Sequence, residues 1–406
     1  MKQTLRTWKV GFFLTVRSLT RGNVSTTLMT IFMMAMIFVN LIFLTSIING
    51  LVHTAYNQII ETLTGHILVE PAAGKGSLAD ATAVEKELMH VNGISHVSPR
   101  TNFSAELEYN GEKGSYRGVA IDTEKEAAVT TVKNHVVAGR FLEPDDTNAV
   151  ILGNQITGGE DVELHEYSLK NVQVGDAVKM TFANGLEKTY TVVGIFDNDF
   201  VQADNRFFVN ADEYFSLFPE LKNQASEMAV RMDHSDVYDV DAVVSDIESR
   251  SIDANIRTWK DTAGVVESFT ASFTIVNFIV SIVGIIVAGI TIFIVMYVDV
   301  VNRRKQIGIL RAIGIAENSI AISYLLRALL YAVVGIILGM ILFNVVIIPM
   351  FIRRPLHLPV GNVSLIIDTG VMYMRALALL IVSFLGAYIP IHKTLRMHII
   401  DAIWGE

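Results

Sequence analysis

Two runs of the chain, Ser268 to Val298 and Ala328 to Ile352, contain no Asp, Glu, Lys or Arg. Each exceeds the roughly 20 apolar residues that carry an α-helix across the hydrocarbon core of a bilayer. Between them lies the basic stretch Arg303-Arg304-Lys305-Gln306-Ile307-Gly308-Ile309-Leu310-Arg311-Ala312-Ile313-Gly314. A short basic segment joining two membrane spans is a turn-back held on the cytoplasmic side. At about 100° per residue, Ile307, Ile309, Leu310 and Ile313 share one broad arc, with Arg304 and Arg311 stacked opposite. This predicts a short helix lying flat at a surface, with Gly308 at a close contact and Gly314 as its C-terminal cap.

The distribution of charge supports a membrane protein with a large polar insert. Residues 51–267 hold 36 acidic against 17 basic side chains, a net of −19, whereas the remainder carries +10. The first 60 residues contain Lys2, Arg6, Lys9, Arg17 and Arg21 and no acid, which keeps the N-terminal end in the cytoplasm and places the acidic block outside. There is no cysteine, so the insert is held by its core alone, as its length permits. The apolar run from Val24 to Ile48 is too long for the h-region of a secretory signal and reads as an uncleaved first span.

These features predict an α+β membrane protein of four transmembrane helices, with a two-lobed extracytoplasmic α/β domain inserted between the first and second. Residues 1–22 form a cytoplasmic interfacial helix whose Leu5, Trp8, Phe12, Val16 and Leu19 make one apolar stripe. Residues 23–50 are the first span and 51–267 the extracytoplasmic domain. Within it, β-α-β halves at 51–134 and 221–267 surround a β-rich lobe at 135–220, where Asn184-Gly185 signals a hairpin. The second span covers 268–299, a cytoplasmic helix 300–320, the third span 321–352, an outer loop 353–370, the fourth span 371–392 and a cytoplasmic tail 393–406.

Catalytic chemistry is not legible. No phosphate-binding G-x-x-x-x-G-K-[ST] sequence occurs, and Gly74-Lys75-Gly76-Ser77 lacks its upstream glycine. His53, His66, His90, His96, His135 and His165 have no metal-ligand spacing. Asp145, Asp146, Asp197 and Asp199 fit a solvated acidic face better than an acid-base centre. The spans lack the buried Asp, Glu or Lys expected of a proton- or ion-coupled carrier. Asn40, Asn277 and Asn344 are helix-helix hydrogen-bonding candidates. Energy must then enter from a partner on the cytoplasmic side.

The stretch Asn302-Arg-Arg-Lys-Gln-Ile-Gly-Ile-Leu-Arg-Ala-Ile-Gly314 resembles the R-x-x-E-I-G-I-L-R-A-L-G pattern of the FtsX-like permease family of ABC transporters, which includes MacB-type exporters and the LolC/LolE lipoprotein-releasing subunits. The closing Pro390 to Ile403 stretch, and the segments Thr64-Gly65-His66-Ile67, Gly118 to Asp122 and Ala149 to Gly153, are similar to the family as well. Gln306 stands where the family has Glu, and Ile400-Asp401 where it has Pro-Glu. The resemblance implies that 303–314 is a coupling helix seated in a separate ATPase dimer, with Arg304, Gln306, Ile307, Leu310, Arg311 and Gly314 at that contact. It implies no cofactor in this chain, since ATP and Mg belong to the partner, and no enzymatic activity of its own. It further implies a second permease copy or homologous permease, membrane lipid around the spans, a periplasmic carrier or membrane-fusion protein outside, no nucleic acid, and a multi-pass place in a bacterial inner membrane.

Three functions compete under that resemblance. The first is extraction or export of a lipoprotein or lipid, for which Phe32, Met33, Met36 and Phe43 of the first span are candidate groove residues. The second is MacB-type efflux of a peptide or small amphiphile. The third is mechanical regulation of an outer hydrolase without transport.

Overall fold

The computed structural model describes residues 2–21, 24–159, 162–233, 239–250, 252–262 and 264–395, and it divides into two compact units. A membrane unit is built from residues up to Gly50, Thr270–Pro355 and from Ser364 on; a large domain comprises Leu51–Phe269 with Leu356–Val363. Arg396 and Asp401, part of the closing motif, lie outside the described residues.

Among the described residues, four helices are long and apolar enough to span a bilayer, within Val24–Thr64, Ser272–Asn302, Glu317–Arg353 and Thr369–Leu395. Their core is a run of interlocked apolar side chains that includes Met34, Phe38, Ile292, Met296, Tyr331, Ala332 and Leu379. Small residues let the helices approach closely. A methyl group on Gly335 would meet Met34 Cβ at 2.6 Å, and one on Gly386 would meet the Gly289 carbonyl oxygen at 2.7 Å. The second span is the least buried of the four. Only its stripe of Ala288, Ile292, Met296 and Val300, one residue per turn, enters the core.

The N-terminal helix Lys2–Arg21 packs on the third span through its small-residue side. Thr15 Oγ1 donates to the Ser323 carbonyl at 3.1 Å, and Gly11 faces Ile322 and Ser319. Trp8, Phe12 and Val16 of the expected stripe remain exposed. The side chains of Leu5 and Leu19 lie outside the described set.

Several boundaries differ from the sequence expectation. The first span does not stop at residue 50: its α-helix runs Val24–Gln58 and continues as a π-helical turn, Ile59–Thr64. Polar residues enter after Gly50, but Tyr56, Ile59 and Leu63 still repeat at helical spacing and find apolar partners in the large domain. The cytoplasmic helix is Arg304–Ala312 and not 300–320, because the second span's helix extends to Asn302 and the third begins at Glu317.

The large domain contains ten strands: β1 (Ile67–Pro71), β2 (Ile94–Tyr109), β3 (Glu112–Ile121), β4 (Val136–Gly139), β5 (Ala149–Gly153), β6 (Ala177–Phe182), β7 (Glu187–Phe196), β8 (Arg206–Asn210), β9 (Glu227–Met232) and β10 (Ala254–Thr258). In the order β10-β1-β9-β2, two β-α-β units interleave as an antiparallel sheet, with helices Ala81–Met89 and Val240–Ser249 as their crossovers. The remaining pairings close a ring: β2 to β3, β8, β5, β7, β6 and back to β2. Successive side chains point to opposite faces of it, as the pleat requires. On β5, Val150 and Leu152 fill the barrel interior, while Ala149 and Ile151 pack outward with Phe141 and Phe208.

The expected lobe boundaries at 135 and 220 are therefore corrected. The division between lobes falls inside β2, and β3 belongs to the barrel. A single strand of 16 residues pairs with β9 along its first half and with β3 and β6 along its second.

Candidate functional site

The cytoplasmic helix is built by local rules. It starts one residue past the second span, where Arg303 N–H still donates to the carbonyls of Asp299 and Val300 at 3.2 Å. It ends in a Schellman motif. Gly314 takes φ +92°, its N–H donates to Arg311 O at 3.0 Å, and Ile315 N–H donates to Leu310 O at 3.0 Å. Leu310 and Ile315, which flank this cap, both pack on the membrane-unit core. Arg311 pairs with Glu317 at the start of the next helix, where a carboxylate also suits the helix dipole.

The broad apolar arc read from the sequence divides in two. Ile307 is 4% exposed and belongs to the core, whereas Ile309 and Ile313 are 48% and 69% exposed. Of the residues expected at a partner contact, Ile307 and Leu310 thus anchor the helix inward, Arg311 is tied to Glu317, Arg304 is half-buried, and Gln306 and Gly314 are exposed. The outward apolar pair is Ile309 and Ile313, with exposed Lys305 beside them.

An ion-pair cluster holds the base of this helix. The Asp299 carboxylate accepts from Arg303 Nε at 3.0 Å and from Arg327, a residue of the third span whose side chain is 5% exposed. The Arg327 guanidinium also lies 4.6 Å from the centre of the Tyr324 ring. Beside it is a cavity of 470 Å³ whose lining includes Arg17, Arg303, Gln306, Leu310, Tyr324 and Arg327. Asp299 and Arg327 each adjoin a charge-free run, the first as the last residue of the expected second span and the second inside the expected third. Their opposite charges were visible, but their meeting across two helices was not.

The candidate groove residues do not form one face. Phe32 and Met36 are exposed, Met33 is partly buried a quarter-turn away, and Phe43 packs edge-to-face on Phe351 with centroids 5.7 Å apart. The helix Ile348–Arg353 covers the far end of the stripe. What stays open is Leu28, Met29, Phe32 and Met36, near the Val24 end of the span.

In the large domain, carboxylates gather where β7 meets the short helix Val201–Asp204. A 420 Å³ cavity there is lined by Glu163, Asp197, Asp199, Asp204 and His357 among others. Asp204 accepts from Asn198 Nδ2 at 2.7 Å and from the backbone N–H groups of Asn198 and Phe200, yet burial pushes its carboxyl up to about 7. Among the described residues, no group of three or more His, Asp or Glu is placed to hold a metal ion.

Residues 27–250 match the family profile described as the MacB-like periplasmic core domain, and residues 278–399 match the FtsX-like permease C-terminal profile. An uncharacterized ABC transporter permease of Methanocaldococcus jannaschii is 25% identical over 79% of this chain and 78% of its own. A Staphylococcus haemolyticus protein carrying the name hemin transport system permease protein HrtB is 23% identical over 66% of this chain and 67% of its own. The crystal structure of the periplasmic region of MacB from Actinobacillus actinomycetemcomitans aligns at TM-score 0.37 and 14% identity, over 52% of this chain and 96% of that one.

Proposed function

We propose that this chain, which belongs to the MacB-like and FtsX-like permease family of ABC transporters, takes up the work of a separate ATPase dimer at its cytoplasmic helix and uses it to move the large domain. The observation that carries this reading is the two-sidedness of Arg304–Ala312. Ile307 and the Asp299 ion pairs tie the helix into the membrane unit, while Ile309 and Ile313 present an apolar surface beside basic residues. An exposed apolar pair at this place suits a protein partner, and the inward anchors give a push on it somewhere to go.

The substrate in this proposal is an amphiphile. The family permits lipoprotein, lipid, peptide or small-molecule substrates, and two observations favour the small amphiphile. The HrtB-named relative is described by its hemin transport. The open apolar stripe of Leu28 to Met36 starts four residues from the beginning of the first span, and at 1.5 Å per residue Leu28, Met29 and Phe32 fall in the inner half of a core about 30 Å thick, with Met36 near its middle. On that ground we rank outer-leaflet lipid capture by the first span second.

The test is affinity purification of the tagged chain in mild detergent from its own cells, probed for an ABC ATPase. The double substitution Ile309→Asp, Ile313→Asp should abolish recovery of the ATPase in mild detergent. If the wild type recovers no ATPase, or the double variant recovers it fully, the reading is wrong. Stimulation of ATP hydrolysis by hemin, used as a probe amphiphile, and not by a diacylated peptide would support the substrate class; the reverse result would return lipoprotein extraction to first place.

A further inference from the structure

The last turn of the first-span helix ends inside the large domain, and the way its carbonyls are satisfied is unusual. A helix end leaves its final carbonyls without intrahelical partners, and these are commonly capped by glycine turns or water. Here three of them are taken by donors from three separate parts of the domain. Glu61 O accepts from Thr131 N–H at 2.8 Å, Thr62 O from the Arg206 guanidinium on β8, and Leu63 O from the Arg100 guanidinium on β2. The Glu61 carboxylate adds a fourth tie, to Arg231 on β9 at 2.8 Å. Immediately after, Gly65 takes φ +68° and His66 N–H joins β9 at Val230 O, 2.8 Å. The helix therefore has no loop between it and the sheet.

The two arginines differ in what supports them. Arg100 is wholly buried and held by a two-pronged pair with Glu126, at 2.6 and 2.8 Å, with Glu227 at 3.5 Å. Its partner Glu126 accepts further from Ser98 at 2.8 Å and Thr130 at 3.0 Å. Arg206 is 6% exposed, lies 5.1 Å from the centre of the Phe208 ring, and donates to Ala203 O at 3.2 Å. Among the described residues no carboxylate is within ion-pair distance of it. Burial and the like charge of Arg100 lower its pKa to about 9. A buried cation without its own carboxylate is expensive; Glu126 and Glu227 favour it from a distance, and it directly contacts the negative end of the helix, at Thr62 O.

We propose that Arg206, with Arg100 behind it, is a positioning residue that splices the first-span helix to the sheet, so that displacement of the helix reaches β2, β8 and β9 without slack. This rests on the reading that ATP hydrolysis moves the large domain. Arg206 does not build the domain; it transmits to it. The barrel and the interleaved β-α-β sheet have their own apolar cores, and neither depends on a guanidinium at this point.

The experiment is hydrogen exchange on the full chain with its ATPase in nanodiscs, with and without ATP held by a hydrolysis-blocked ATPase. In the wild type, exchange should change on nucleotide addition both in residues 51–64 and in β2 and β9. Arg206→Met removes the charge together with its desolvation cost, so the domain stays folded. In this variant the change in 51–64 should persist and the ATPase rate stay within about twofold, while the change in β2 and β9 falls at least about fivefold. A merely structural role would instead raise exchange throughout the barrel and sheet irrespective of nucleotide. Should Arg206→Met fail to fold, Arg206→Lys, which keeps the charge but not the forked geometry, decides by the same comparison. Retention of the β2 and β9 response in the folded variant overturns the splice. Absence of any response in wild-type β2 and β9 overturns the mechanical reading and the splice with it, and the two failures are told apart by which protein shows them.

Discussion

Replacing Asp299 by alanine isolates what its carboxylate does at the base of the cytoplasmic helix. It accepts from Arg303 Nε at 3.0 Å and from Arg327, whose side chain is 5% exposed. Breaking a fully buried pair by removing one partner costs about 3–5 kcal/mol, because the surviving charge is left in a medium that cannot solvate it. Two effects reduce this. Asp299 keeps 24% of its side-chain surface open, and an unfolded helix in a bilayer finds other polar partners, so such contacts are worth less than their apolar surroundings suggest. The Tyr324 ring beside Arg327 continues to offer its face to the cation. The expected loss is about 2 kcal/mol. Asp299→Ala combined with Arg327→Met removes the stranded charge and should recover most of it, giving a coupling energy of about 1–2 kcal/mol in a double-mutant cycle. Denaturant titration of the full chain in lipid-detergent micelles, followed by tryptophan fluorescence, measures all four corners. Additivity within about 0.5 kcal/mol would refute the argument, since the two groups would then not be holding one another.

Two further outcomes are expected. Gly314→Ala forces a side chain into the φ +92° conformation of the Schellman cap and should destabilise by about 1 kcal/mol. It should also weaken ATPase recovery, whereas Gly185→Asn in the hairpin turn, at φ +84°, should leave recovery unchanged because asparagine tolerates that region. The Asp204 carboxyl, raised from 3.8 to about 7 by burial, holds its proton more tightly in the folded state. Its contribution to stability is therefore fully present below about pH 4 and is lost as pH rises to about 7, by up to about 4 kcal/mol. The fluorescence of Trp259, which packs on Tyr56 at 4.6 Å, reports the large domain's unfolding. Its midpoint should fall between pH 4 and 7 in the wild type and fall less in Asp204→Asn; equal slopes would exclude Asp204 as the source.

What could be read from the sequence follows the range of the interaction. Apolar length and charge asymmetry gave the spans, since both are properties of contiguous residues. The β-rich character expected within 135–220 is observed in the strands Ala149–Gly153, Ala177–Phe182 and Glu187–Phe196, because period-two patterns and the Asn184-Gly185 turn mark them locally. Closure of the barrel was not legible, for it depends on β6 reaching both β2 and β7. Nor was the sharing of β2 between lobes, since Pro99 and Arg100 look like a break in a strand and the pairing of Pro99 with Met228 is set by β9. The cytoplasmic helix was legible as an element. Which of its apolar residues face inward was not, because Ile307 and Ile309 differ only in what stands across from them. Asp299, Arg327, Arg100 and Arg206 were missed for the same reason: a charge in a sequence shows no partner until the chain is folded around it.

The one strand that serves both lobes has a consequence for how load travels. With ten register pairs to β3 on one side of its length and six to β9 on the other, β2 acts as a common girder, and the lobes cannot swing apart without shearing it. Any hinge between the lobes would have to bend that one strand, so a load applied at the β9 edge is carried along β2 into the barrel.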